Sequence, residues 1–306
     1  MRISLILVPY DAGQPRVRMG AGPEQLVRAG LQDSLVRQGH EVDVDVVEAA
    51  GTWRAEIATT FALAAAVANR ARDARERGRF PFLVTGNCMM TLGIVAALNA
   101  PASVIWLDAH GDFNTPDTTV GGFIDGMALA AMTGRCWRQL AAAIPDFRPV
   151  DEGRVVLAGA RDLDPLEAKA LDSTRITRVD ARSIGAKLET AARTCSSGAV
   201  DTHLHVDLDV LDISEGRVNG FAAAGGVSRD RSLTLTRPLS DAPAARTSRS
   251  VASALSSTPA RAAPPSAISS SSSSIRAVKL TSTTSGKCWI SLSVTTSATS
   301  SGTNRF

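Results

Sequence analysis

The stretch from Val104 to Asn114, which reads Val-Ile-Trp-Leu-Asp-Ala-His-Gly-Asp-Phe-Asn, constrains what this chain can fold into more than any other. Its apolar start is short and bounded by Pro101 and Gly111, which predicts a buried strand. Three ligand-type side chains follow that strand, namely Asp108, His110 and Asp112. Sites in open α/β sheets form at the carboxyl ends of strands, and this mixture of donors suits divalent Mn, Zn or Fe. The alternative is a strand end capped by solvated carboxylates.

A second stretch, residues 203–212, reads His-Leu-His-Val-Asp-Leu-Asp-Val-Leu-Asp. Strand alternation predicts that Asp207 and Asp209 point to one side and the apolar residues to the other. Adjacent carboxylates repel one another unless a cation lies between them. The two stretches together therefore predict a pair of divalent ions at bridging distance, which would lower the pKa of a shared water.

The histidines of the second stretch are separated from its aspartates by even numbers of residues, so a strand would place them on the same side. His203 and His205 can therefore point towards the site, although the favoured interpretation is a pair of buried, hydrogen-bonded histidines. A supporting role behind the ligands ranks next for His205, and direct ligation ranks last. His40 follows a predicted helix and is interpreted as a surface or helix-end histidine.

Charge is distributed unevenly along the 306 residues. From Ser228 onward there are 10 Lys or Arg and 2 Asp or Glu, so that part is near +8 and the preceding part near −5. The basic residues are dispersed, without a stripe or aromatic interleaving, so nucleic-acid binding is not expected. No apolar stretch reaches the length of a membrane span. The four cysteines contain no C-x-x-C pair, which favours a reducing, cytoplasmic location.

The order of the predicted elements is strand, helix, strand, helix along residues 1–195. It predicts strands at Ile3–Pro9, Glu41–Glu48, Phe80–Thr85, Arg154–Ala160 and Arg175–Val179, and helices at Glu24–Gln38, Trp53–Arg77, Thr91–Leu98, Met127–Thr133, Pro165–Leu171 and Ala181–Cys195. This alternation predicts an α/β fold, a parallel sheet covered on both faces.

Two loops bring further candidates to the same edge of the sheet. A strand–Gly–helix turn carries Cys88, whose simplest role is a small buried hydrophobe. Residues 115–122 have the composition of a loop that faces substrate. Asp125 follows it, and a catalytic role and a helix N-cap are about equally favoured.

Composition changes at about residue 230. Roughly four in ten residues after Val227 are Ser or Thr, and Ser269–Ser274 is an unbroken run. Such a sequence buries too little apolar area to offset the entropy of ordering it. We therefore predict a domain over residues 1–230 and a low-complexity tail over residues 231–306, either disordered or frame-shifted. A frame-shifted tail is favoured, because the sheet would otherwise stop before it is complete.

Three motifs resemble those of the arginase/agmatinase/formiminoglutamase (ureohydrolase) family and together cover roughly residues 1–230. Asp108-Ala-His-Gly-Asp-Phe-Asn resembles Asp-Ala-His-x-Asp-x-Asn, Val206-Asp-Leu-Asp-Val-Leu-Asp resembles Asp-x-Asp-x-x-Asp, and Gly225-Gly-Val-Ser resembles the following segment. The resemblance implies a three-layer α/β/α fold, incomplete here at the C-terminus. It also implies a binuclear manganese site that hydrolyses a guanidino or related C–N bond through a bridging hydroxide, and trimers or hexamers.

The resemblance also implies roles for single residues. Asp108 and Asp207 would bridge the two ions, Asp112 would complete the first ion's ligands, and His110 and Asp209 would hold the second ion. Asn114 would face the polar end of a small-molecule substrate.

This chain departs from the family pattern at two positions. Cys88 stands where the family has a histidine ligand of the first ion, and thiolate suits Zn or Fe better than Mn. Asp125 stands where the family has a histidine, and its carboxylate can still carry a proton. The family glutamate that pairs with the guanidinium falls in the part taken by the Ser/Thr-rich tail, so the resemblance assigns it to no residue of this chain.

Two other functions remain open. Asp108, His110 and Asp209 resemble the zinc ligands of deacetylases that share this fold, which implies a single-zinc hydrolase with Cys88 in a packing role. The other is a protein of this fold that has lost its catalytic activity.

Overall fold

Most strands of the described residues form one large parallel sheet. The computed structural model describes residues 1–51, 55–215, 219–228 and 287–293. The strands are β1 Arg2–Val8, β2 Tyr10–Asp11, β3 Gln14–Pro15, β4 Glu41–Val46, β5 Phe80–Thr85, β6 Ala102–Leu107, β7 Val155–Ala158, β8 Thr177–Val179, β9 Asp201–Asp207 and β10 Lys287–Ser293. Eight of them pair in the order β4-β1-β5-β10-β9-β6-β7-β8, while β2 and β3 form a separate small hairpin.

Helices cover both faces of the sheet. They are α1 Gly22–Arg28, α2 Leu31–Arg37, α3 Glu56–Glu76, α4 Thr91–Ala96, α5 Ala128–Met132, α6 Arg138–Ala142, α7 Pro165–Asp172 and α8 Ala186–Cys195. Successive residues of β1 enter different cores: Ile6 packs in the cluster that contains α3, α4 and α5, and Leu5 packs in the cluster that contains α1, α2 and α8. Because a strand buried on both faces is apolar along most of its length, this arrangement accounts for the nearly continuous apolar run Ile-Ser-Leu-Ile-Leu-Val of β1, which only Ser4 interrupts. The predicted three-layer α/β/α architecture is confirmed.

The structure differs locally from several predictions. The single helix predicted over Glu24–Gln38 is two helices, because Gly30 adopts a left-handed conformation with φ of 95° and interrupts the hydrogen-bond ladder. The first part of the helix predicted over Ala181–Cys195 is a separate 3₁₀ turn, Ala181–Ser183. Helix α6 was not predicted. His40 lies at the end of α2, as one of the two alternatives predicted, since its backbone N–H donates to the Leu35 carbonyl oxygen at 3.2 Å. It is buried and not on the surface, with Nδ1 3.2 Å from the amino group of Met1.

One strand lies inside the range predicted to be a low-complexity tail. Residues Lys287–Ser293 form β10, which pairs in parallel with β5 on one side and β9 on the other. That segment therefore supplies a strand near the middle of the sheet. The rest of residues 231–306 lies outside the described residues, so the boundary at residue 230 and the origin of the tail stay predictions.

The crossing of α3 and α4 gives a test of the packing. A Cβ at Gly93 of α4 would collide with the Ala64 carbonyl oxygen of α3 and lie 2.7 Å from Val67 Cβ. We expect Gly93→Ala to destabilise the fold by about 1–3 kcal/mol, the usual cost of overpacking. Thermal unfolding should show a lower Tm than that of Gly121→Ala, whose added Cβ meets nothing within 4 Å. Equal Tm values for the two variants would contradict the close packing.

Candidate metal centre

The two aspartate stretches meet at the carboxyl edge of the sheet because β6 and β9 are adjacent parallel strands in register. Asp108 follows β6 directly, and Asp207 is the last residue of β9. The loop after β6 folds back on its own carboxylate, since the His110 backbone N–H donates to Asp108 Oδ1 at 2.8 Å. The Ala109 backbone N–H donates to Asp209 Oδ1 at 3.1 Å, which ties the two loops together.

Four buried side chains form a first donor group with the spacing of metal ligands. Their donor atoms all lie within 4.8 Å of one another, and they belong to Cys88, Asp108, Asp112 and His205. Cys88 opens a 3₁₀ turn immediately after β5. Asp112 reaches the group through a left-handed backbone with φ of 46°. Donors that share an ion at bond lengths of about 2.0–2.3 Å lie at such distances from one another.

A second donor group shares one carboxylate with the first. It consists of Asp108, His110 and Asp209, again with donor atoms within 4.8 Å of one another. His110 Nδ1 lies 3.3 Å from Asp108 Oδ1 and 3.3 Å from Asp209 Oδ2. Asp108 therefore lies where it could bridge two ions.

Asp207 lies beside the first group without belonging to either. Its Oδ2 is 3.6 Å from Cys88 Sγ, and its Oδ1 accepts a hydrogen bond from the Asp209 backbone N–H at 2.9 Å. That second contact ends the strand, because Asp207 caps the 3₁₀ turn Leu208–Val210. The prediction that Asp207 and Asp209 alternate along one strand was therefore wrong, although both carboxylates still reach the same site.

Crowding of buried carboxylates shifts their protonation. Burial, followed by repulsion from Asp209, raises the pKa of Asp108 to about 6. Burial and neighbouring carboxylates raise the pKa values of Asp112 and Asp207 well above the usual range. Without a cation this site holds protons that a divalent ion would displace.

The imidazole of His110 is held in its charged form. Burial lowers its pKa, but the contacts with Asp108 and Asp209 outweigh burial and raise the pKa to about 12. For Asp209, burial raises the pKa, but the hydrogen bonds from His110 and Asn219 outweigh it and hold the pKa at about 2. A proton on His110 thus partly takes the place of a positive ion between these carboxylates.

Two polar atoms in the cluster have no hydrogen-bond partner, and this bears on whether the residues present fit a metal ion. They are Asp112 Oδ2 and His205 Nε2, and both are buried. Buried polar atoms without partners are costly, at about 1–3 kcal/mol each. A cation among these oxygen, nitrogen and sulfur donors would satisfy both atoms, so the site fits a divalent metal.

A cavity of about 300 Å³ opens above the cluster. Phe123 and Phe221 stack on one wall with ring centroids 5.6 Å apart. The predicted loop over residues 115–122 contributes Thr119, Val120 and Gly121 to the lining. The aromatic pair and this loop therefore form walls of the cavity, and the donor groups lie at its base.

Asp125 lies in the lining of this cavity and is buried. Its carboxylate accepts hydrogen bonds from the Asn87 side chain and, at 3.2 Å, from the Met89 backbone N–H. It caps neither the 3₁₀ turn that it opens nor α5, so the N-cap alternative is not observed. Burial raises its pKa to about 7, despite the hydrogen bonds that act the other way.

Asn114 also lines the cavity. Its Nδ2 donates to Asp164 Oδ2 at 3.0 Å, and its Oδ1 accepts from Thr118 Oγ1 at 2.9 Å. Both contacts hold the amide in a fixed orientation at the cavity wall.

Two residues that organise the site were missed by the sequence reasoning. Glu167 Oε1 accepts from the Phe113 backbone N–H at 2.8 Å and Oε2 accepts from the Asp164 backbone N–H at 3.2 Å, which anchors the loop after β6 to α7. The spacing Asp164-Pro-Leu-Glu167 is a capping-box signal that could have revealed it. No local signal marks Arg161, whose guanidinium donates to the carbonyl oxygens of Gly159, Asp209, Val210, Leu211, Ala223 and Ala224.

The fold and the two donor groups define an α/β protein with a candidate binuclear metal centre at the carboxyl edge of its sheet. A sequence model of the arginase family matches residues 1–247. The chain is 30% identical to an arginase of Bacillus caldovelox over 78% of this chain and 86% of that protein. It is 29% identical to arginase-1 of Oryctolagus cuniculus over 78% of this chain and 80% of that protein.

Solved structures give the same result. The structure of an arginase from Bacillus subtilis superimposes with a TM-score of 0.72 and 26% identity, covering 79% of this chain and 87% of that one. The chain therefore belongs to the arginase family. Within the residues described, no helix is both long and apolar enough to cross a membrane.

Repulsion among the carboxylates predicts that the metal-free protein loses stability as pH rises. A carboxyl whose pKa is raised by folding ionises first in the unfolded chain, so stability falls as pH rises from about 4 through the folded pKa. Replacing Asp207 by Asn removes one such charge. With EDTA present, we expect D207N to have a higher Tm than the parent, by a larger margin at pH 8 than at pH 5.

The matched control for this measurement is Asp117→Asn, which removes an exposed carboxylate from the neighbouring loop. We expect its Tm to follow that of the parent at both pH values. If D207N were no more stable than D117N at pH 8, the cost assigned to the buried carboxylates would be wrong.

Proposed function

We propose that this chain hydrolyses a C–N bond of a linear guanidino or amidine-type substrate at a pair of divalent metal ions. The observation that carries the proposal is the pair of donor groups that share Asp108 beneath a cavity. In this assignment Asp108 and Asp207 would contribute to both ions, Cys88 and Asp112 would hold the first ion, and His110 and Asp209 would hold the second. When bound, such a pair of ions lowers the pKa of a shared water to near neutrality.

The charge of the cavity supports a cationic substrate. Its wall carries Asp162, Asp164 and Glu167 in addition to the cluster at its base. Among the described residues that line it, none is Lys or Arg. A planar guanidinium or amidinium group is attracted to such a surface, and Asn114 presents a fixed amide to the polar end of the molecule.

Asp125 has the properties of the proton carrier. Hydrolysis adds water to the planar carbon and breaks the C–N bond, and the departing nitrogen needs a proton to leave as a neutral amine. A carboxyl with a pKa of about 7 is present in both protonation states near neutral pH. The hydrogen bonds from Asn87 and Met89 hold it at the cavity wall.

Removing this proton carrier should slow the chemical step. We expect Asp125→Asn to lower kcat by about 10²–10⁴-fold, the usual contribution of a general acid or base, with the metal content unchanged. Asp125→His restores a group that titrates near neutral pH, and we expect it to recover part of the activity. Steady-state kinetics across a pH series check this, and an active D125N with an unchanged pH profile would remove Asp125 from the mechanism.

Metal content separates the possible functions. We expect two divalent ions per chain by elemental analysis, and loss of the ion held by His110 and Asp209 in Asp209→Asn. Chelation should abolish hydrolysis of L-arginine, agmatine or N-formimino-L-glutamate, measured by release of urea or formamide. One zinc per chain would instead support the deacetylase-like hydrolase, and no bound metal would support a non-catalytic protein.

The remaining assignments depend on the family. We propose Mn as the usual metal, with Zn or Fe favoured where Cys88 contributes. We propose a cytoplasmic enzyme that forms a homo-oligomer, a trimer or hexamer, without nucleic-acid or membrane partners. Size-exclusion chromatography with light scattering measures the oligomeric state directly.

A further inference from the structure

We propose that His205 is a ligand of the first metal ion, so that the sulfur of Cys88 and the imidazole of His205 hold this ion together with the carboxylates of Asp108 and Asp112 and the shared Asp207. This inference rests on the metal centre proposed above and names a ligand beyond those that the motifs supplied. In this chain a cysteine occupies the turn after β5, and the imidazole for that ion comes instead from β9.

The position of His205 supports direct ligation. Its ring offers a nitrogen within 4.8 Å of the donor atoms of Cys88, Asp108 and Asp112. The side chain is fully buried, with 0% of its surface exposed. Since β6 and β9 are in register, His205 pairs with Trp106, two residues before Asp108, and the ring comes to the base of the cluster.

The ring is held by contacts that leave one nitrogen for a metal. His205 Nδ1 lies 3.1 Å from the Thr91 hydroxyl oxygen, while Nε2 is buried without a hydrogen-bond partner. The imidazole stacks on Trp106 at a centroid distance of 3.6 Å and an interplanar angle of 13°. Metal-binding histidines are usually oriented by a hydrogen bond from the other ring nitrogen, and the Thr91 hydroxyl supplies that contact.

Trp106 connects this histidine to the shared carboxylate. Its indole Nε1–H donates to Asp108 Oδ2 at 3.2 Å while its face supports the His205 ring. One buried side chain therefore positions two donors of the first group. A histidine with only a packing role would not need to lie so close to the Cys88 thiol and the carboxylates of Asp108 and Asp112.

The donor set determines which metal binds. Binding converts the Cys88 thiol to a thiolate and releases its proton to solvent. A site with one sulfur and one nitrogen donor beside its carboxylates suits Zn, Co or Fe in the divalent state better than Mn, which favours oxygen. We expect the first site to select zinc or cobalt, while the second can take manganese.

Cobalt substitution tests both ligands without relying on turnover. The metal-free protein is loaded with Co²⁺ alone, and the parent should show a near-ultraviolet band from thiolate-to-cobalt charge transfer. We expect Cys88→Ala to lose this band, and His205→Gln to bind one cobalt fewer and to alter the visible bands. The matched control is His203→Gln, since His203 lies on the same strand, is equally buried and belongs to neither donor group; it should behave as the parent does.

A second measurement leaves His205 in place and so avoids the risk of misfolding. In His110→Asn the second site is disabled, and a single zinc should occupy the first. X-ray absorption of that zinc should show one sulfur neighbour and one imidazole, and the only imidazole within the first donor group is that of His205. Sulfur scattering without imidazole, or an H205Q protein with the parent's cobalt content and spectrum, would overturn the proposal.

These outcomes are distinguishable from failure of the proposed hydrolysis. A protein that shows the sulfur and imidazole signature but hydrolyses no guanidino substrate would keep the ligand assignment and lose the function. A protein that hydrolyses such a substrate but lacks this signature would keep the proposed function and lose the assignment of His205 as a ligand.

Discussion

Repulsion among buried carboxylates is the constraint on which the functional part of this structure depends. Asp108, Asp112, Asp207 and Asp209 converge at the ends of two adjacent strands, and all four are buried. Their charges can coexist only if protons or cations lie between them. Without metal, raised carboxyl pKa values and a protonated His110 meet that need. Repulsion at the site would therefore lower the stability of the metal-free fold, and bound ions would restore it.

The sheet makes this convergence possible, because parallel neighbours end at the same edge. Much of that could be predicted from sequence: the apolar runs at Phe80–Thr85 and before Asp108 are strands at the predicted places. The alternation of strands and helices predicted a parallel sheet, because few other connections satisfy it. What sequence could not supply was the pairing of β10 between β5 and β9, since a Ser-rich segment far along the chain carries no pattern that selects a central position.

Site residues could be predicted from the sequence where they belong to a motif. They could not be predicted where their role depends on contacts with residues far away in the chain. Asp108, His110 and Asp209 fall in one donor group, as expected for ligands at converging strand ends. His205 was interpreted as a buried, hydrogen-bonded core histidine, because parity along a strand gives the side of a side chain but not the partner it meets across the sheet. Arg161 could not be predicted for a related reason. Its guanidinium donates to six backbone carbonyls from three separate segments, and no local spacing of residues in the sequence indicates such contacts.

The two departures from the family motif would act on the proposed chemistry in different ways. In the proposed mechanism Asp125 would replace one proton carrier by another, and burial moves its pKa into the range where a carboxyl can serve near neutral pH. Cys88 would instead change the nature of a ligand, in a donor group to which β9 contributes an imidazole. The Cys88 sulfur follows β5 and His205 lies on β9, with β10 between these strands. In the proposed site the donors of the first ion would therefore come from both sides of residues 287–293, so the pairing of β10 with β5 and β9 would set the separation of Cys88 from His205.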